Sequence, residues 1–159
     1  MRRTATVLLV IAALVFAAFA LPAAASPGFT TVQATLVGDG DPDGSGSALL
    51  EIDTKTAFGA GTICHEIHVD NVATPITGGV ITVGESGEIV GRLFVTDSGQ
   101  DLQGCSGQGG IKTRDLMRIQ KNPEGHFLHL YNAEHPCDIT APERTCPPGA
   151  LIGQLVGVS

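Results

Sequence analysis

A chain of 159 residues has room for one domain. With 43% hydrophobic and 16% charged residues it is too apolar to stay unfolded, and its 21 glycines follow no three-residue period, so it is not a collagen-like rod. The absence of Trp and the single Tyr argue against a base-stacking surface, and nine basic against 16 acidic residues argue against nucleic-acid phosphates or anionic lipid as partners.

The N-terminus reads as a targeting segment. Arg2 and Arg3 precede an apolar run of 15 residues, Val7 to Leu21, which Pro22 breaks before Ala23-Ala24-Ala25. The run is shorter than the roughly 20 residues a membrane-spanning helix needs. A cleaved signal peptide over residues 1–25 is therefore expected, and a secreted product. Cleavage would leave 134 residues with seven basic against 16 acidic side chains, a formal charge of −9.

Short β-type runs then recur between turn signals. Thr30 to Val37 reads as a strand, with residues 26–36 a linker or first strand ahead of a main domain over residues 37–159. Gly38 to Gly46, centred on Pro42-Asp43-Gly44, is a strong turn. Ser47 to Asp53 follows. Gly61 to Val69 alternates, with Ile63, His65, Ile67 and Val69 on one face and Cys64, Glu66 and His68 on the other. Gly79 to Val83 and Glu88 to Val95 flank the turn Gly84 to Gly87, and residues 97–110 read as a Gly-rich loop. Thr113 to Gln120 is the one helical candidate, with Thr113 as N-cap and Pro123 just past its end. His126 to Tyr131 and Ala150 to Val156 are the last strands. Seven or eight short strands with one helix predict an all-β fold, an antiparallel β-sandwich or barrel.

Four cysteines in an exported chain predict two disulfides. Cys137 and Cys146 bracket a short loop and are expected to pair, which leaves Cys64 with Cys105. No C-x-x-C occurs, so a structural zinc site of that type is not expected.

The order of these pieces resembles a bacterial chordin-type (CHRD) domain over residues 37–155. The matching parts are the acidic turn Gly38 to Gly46, the Cys64 strand, the Gly-flanked Cys105, the helix Thr113 to Gln120, Asn122-Pro123-Glu124-Gly125 with the strand after it, and the closing Pro148-Gly149-Ala150-Leu151-Ile152-Gly153-Gln154-Leu155. The resemblance implies an immunoglobulin-like or superoxide-dismutase-like sandwich with no established catalytic activity. The family's usual histidines are replaced: Val80-Ile81-Thr82 stands in place of H-I-H, Phe127 to Tyr131 in place of Y-V-N-V-H, and Ile152 in place of an Arg.

No catalytic, metal-ligating or cofactor-binding set is expected from these residues. His65 and His68, like His126 and His129, are three apart on a strand and point to opposite faces. A copper or zinc centre of the superoxide-dismutase type, the alternative reading, would have to draw on His68, His129 and His135, with Glu134 and Asp138 as further donors. The acidic turn 39–44 lacks the bidentate Glu of a calcium loop, since Leu50 stands at the twelfth position; it is expected to be a hairpin with exposed carboxylates. Gly84-Glu85-Ser86-Gly87-Glu88 misses the last Gly of a nucleophile elbow. The expected function is a non-catalytic binding or envelope-associated module with an extracellular protein or cell-envelope component as partner. Its contact surface is expected on Phe127, His129 and Tyr131, with His135 and the loop Cys137 to Cys146 beside them.

Overall fold

The computed structural model describes residues 29–55, 61–95, 99–106, 111–139 and 146–158. The expected signal segment lies outside them. The fold is all-β and antiparallel, with one short helix. Its strands are β1 (Phe29–Gly38), β2 (Ser45–Asp53), β3 (Thr62–Asp70), β4 (Ile76–Val83), β5 (Ile89–Leu93), β6 (Asp101–Ser106), β7 (His126–Asn132), β8 (Leu151–Gln154) and β9 (Val156–Gly157). Helix α1 (Thr113–Lys121) and a 3-10 turn (Pro123–Gly125) lie between β6 and β7.

One sheet runs in the order β5-β4-β7-β8-β1-β2-β3-β6, with β9 also paired to β1. Strands such as β1 and β2 present an apolar alternation to one side, Val32, Ala34 and Leu36 in the first and Ala48, Leu50 and Ile52 in the second, and these side chains join the main core. Such a sheet buries that face only by curling over it. The sheet is nearly closed, and its end strands meet at a seam where the Phe94 amide donates to Ser106 Oγ at 3.0 Å. Helix α1 covers the same core with Leu116 and Ile119, both fully buried, while Met117 turns outward. The helix begins one residue earlier than its capping pattern suggests: Lys112 holds the N-cap position without a side-chain bond, and Thr113 is already helical.

The strand expected over Thr30 to Val37 forms as β1, which starts at Phe29 and pairs with β2, β8 and β9. Two elements differ from expectation. Residues 101–106 form strand β6, not loop. Their polar composition hides the alternation, yet they pair with β3 from Ile63↔Ser106 to His68↔Asp101. Strand β4 starts at Ile76, three residues earlier than read, because Thr77-Gly78-Gly79 breaks the apolar pattern, and its pairing with β7 is irregular there. Gly84 opens the β4–β5 turn with φ +67°, a backbone conformation that side chains disfavour.

Both expected disulfides form, Cys64–Cys105 and Cys137–Cys146. Cys64 and Cys105 are direct cross-strand partners, so the bond fastens edge strand β6 to β3. The two disulfides suit an oxidising, non-cytoplasmic compartment. Among the described residues no helix is long and apolar enough to cross a membrane.

Candidate functional site

Among the described residues, two groups of polar side chains stand out as candidate sites. The first lies where the β1–β2 turn meets the chain after β7. Asn132, at the end of β7, has no exposed surface. Its Nδ2 donates to Asp41 Oδ2 (3.2 Å) and to the Ala73 carbonyl (3.1 Å), while its Oδ1 accepts the amides of Glu134 (3.1 Å) and His135 (2.8 Å). One buried amide thus ties three chain segments together. Asp41 Oδ1 faces His135 Nε2 at 3.5 Å. The His135 ring lies directly on Gly40, where any Cβ would come within 2.3 Å of Cε1 and Nδ1. Asp39 anchors the same turn by accepting the Gly149 amide at 2.9 Å. The acidic turn is therefore more than a hairpin with exposed carboxylates: Asp39 and Asp43 are exposed as expected, but Asp39 is also bonded and Asp41 is largely buried.

The second place is the outer face of β1, β2, β3 and β6, where an open groove of about 600 Å³ is lined by Gln33, Thr35, Leu49, Glu66, His68 and Asp101, among others. Register explains its charge. Asp101 is the direct cross-strand partner of His68, and Asp70 is two residues along the same strand face. His68 Nδ1 meets Asp101 Oδ1 at 2.6 Å and Nε2 meets Asp70 Oδ2 at 3.2 Å. The hydrogen bond to Asp101 and the charge of Asp70 hold the imidazole above its ordinary pKa.

The surface expected on the late strand is not found as such. Val80, Tyr131 and Ile139 form a second small core with Cys137 and Cys146 against them, on the face of β7 opposite the main core. His129 and Tyr131 are 5% and 1% exposed, so neither offers a contact surface. Phe127 is half-buried, as is His135. Burial pushes the Tyr131 phenol up to about 12, with the Asp39 charge acting in the same direction, and its hydroxyl donates to the Pro147 carbonyl at 3.2 Å. Residues 140–145 of the disulfide loop lie outside the described residues.

The suggested trio of histidines is not assembled. His68 lies on β3, and β8, β1 and β2 separate that strand from β7 in the sheet. His129 is turned toward Thr82 of β4, whose Oγ1 is 3.1 Å from Nε2 and donates to the Gly84 carbonyl. Burial pulls the His129 pKa below its ordinary value, against the weaker opposing influence of Asp39 and Glu85. His65 is buried opposite Gly104, which leaves room for its ring, and belongs to the core side of β3 as the alternation requires. What sequence reasoning missed is Asn132 and Gly40. Their roles depend on a contact between residues some ninety positions apart, for which no local spacing is a signal. No protein-family model, curated protein or solved structure matches the chain.

Proposed function

We propose that this chain is an exported, non-catalytic binding module of the chordin type, and that it takes an extracellular protein or cell-envelope component in the groove on its outer sheet face. The groove carries the reading. It is open, it is lined by a mixture of polar, acidic and apolar residues on paired strands, and the Cys64–Cys105 bond fixes the two strands that hold Cys64, Glu66, His68 and Asp101. A rigid surface of this kind loses little conformational entropy when it binds. The ordered motifs from the acidic turn to Gly153-Gln154-Leu155, together with the all-β fold, support the chordin-type assignment.

The test compares retention of the purified secreted chain on washed envelope from its own source cells. Wild type should be retained, and Leu49→Arg with Glu66→Lys should weaken retention roughly tenfold or more, as loss of a central contact does. Both side chains face outward, so the thermal midpoint should stay near wild type. Undiminished retention of the double variant would sink the groove reading, as would loss of retention in Phe127→Ala alone.

A further inference from the structure

Among the described residues, Asp41, Glu134 and His135 are the group whose ligand atoms, one from each residue, all lie within 4.8 Å of one another. We propose that these three residues form a binding site for a divalent metal ion of the zinc class, where the sequence alone implies no cofactor. This site does not depend on the groove.

The donor chemistry selects the ion. An imidazole nitrogen with two carboxylates is a borderline set suited to zinc, whereas calcium and magnesium prefer oxygen donors throughout. The spacing agrees. His135 Nε2 and Asp41 Oδ1 are 3.5 Å apart. That is longer than a well-formed N–H···O bond of roughly 2.7–3.2 Å. It is close to the edge of a zinc tetrahedron, about 3.3 Å for metal–ligand distances of about 2.0–2.1 Å.

The site is also supported from behind. Asn132 Nδ2 takes Asp41 Oδ2, which leaves Oδ1 directed at His135, and Asn132 Oδ1 fixes the backbone that carries Glu134 and His135. Gly40 seats the imidazole by its Nδ1 edge, so Nε2 is the nitrogen beside Asp41. Partners that orient ligands in this way are typical of metal sites. The exposed Glu134 leaves the remaining position open to solvent.

Calorimetric titration of zinc into the untagged, chelator-stripped secreted chain tests the proposal. Wild type should bind one zinc per chain, and His135→Ala should lose measurable binding while keeping the metal-free thermal midpoint. Gly40→Ala should displace the ring and weaken zinc roughly 10–100-fold, as loss of an orienting partner does. His68→Ala, at an exposed histidine that also has carboxylate neighbours, should bind as wild type does. Absence of zinc binding by wild type would overturn the proposal. So would undiminished binding by His135→Ala, loss of binding in His68→Ala, or calcium bound as tightly as zinc.

Discussion

His68 and His129 share an intrinsic chemistry, and their surroundings push them in opposite directions. Asp101 and Asp70 raise the pKa of exposed His68 above 6.5, and burial lowers that of His129 below it. His68 therefore favours the folded state below pH 6.5, and that contribution fades as pH rises through its folded value. His129 acts the other way. The unfolded chain takes up its proton first, so its contribution is full above pH 6.5 and is lost as pH falls toward the folded value. Proton NMR titration of the ring Cε1 protons should place His68 above and His129 below 6.5. His129 titrating above 6.5 would contradict its burial. Asn132 is the other residue on which much depends. Asn132→Ala leaves the amides of Glu134 and His135 without their acceptor and should cost about 2–3 kcal/mol by urea denaturation. The in-out order of His65 and His68 was legible because β3 has one core face. The same logic misplaced His129 and Tyr131, because alternation assumes that the second face of β7 is wet.

Strand β6 shows how an element can exist without an apolar signature. In Asp101-Leu102-Gln103-Gly104-Cys105-Ser106 only Leu102 is a buried aliphatic, and the strand is held by pairing to β3 and by Cys105. Replacing Cys64 and Cys105 with Ser should cost about 4 kcal/mol on the loop-entropy estimate for a separation of 41 residues. Hydrogen exchange should show the amides of 101–106 losing protection before those of β1 and β2, and uniform loss across the sheet would contradict the pinning role. The second disulfide covers β7 instead. Replacing Cys137 and Cys146 with Ala should loosen the small core around Tyr131 and bring its phenol down from about 12 toward 10 in an ultraviolet titration. The two disulfide pairs were readable from spacing, but the way one of them shields a strand face was not, since nothing local marks Ile139 as an inward residue.

At the scale of the whole molecule, fold class follows from recurrence: short valine-, isoleucine- and threonine-rich runs between Gly, Asp and Pro turns point to an antiparallel all-β fold. Closure does not follow from the runs. That the strands make one nearly closed sheet depends on β8 sitting between β7 and β1 and on the seam from Phe94 to Ser106. The candidate site was half visible, since Asp41, Glu134 and His135 each stand out as polar residues in loops, but only the fold brings the β1–β2 turn onto the end of β7. The proposed function requires that the chain leave the cytoplasm and be cross-linked into a curled sheet before it binds a partner. Peptide mass mapping of the protein recovered from culture medium tests this most directly. It should find an N-terminus at Ser26 and the linked pairs Cys64–Cys105 and Cys137–Cys146, with no alkylatable thiol. A chain that keeps residues 1–25, or one whose four cysteines all react, would contradict it.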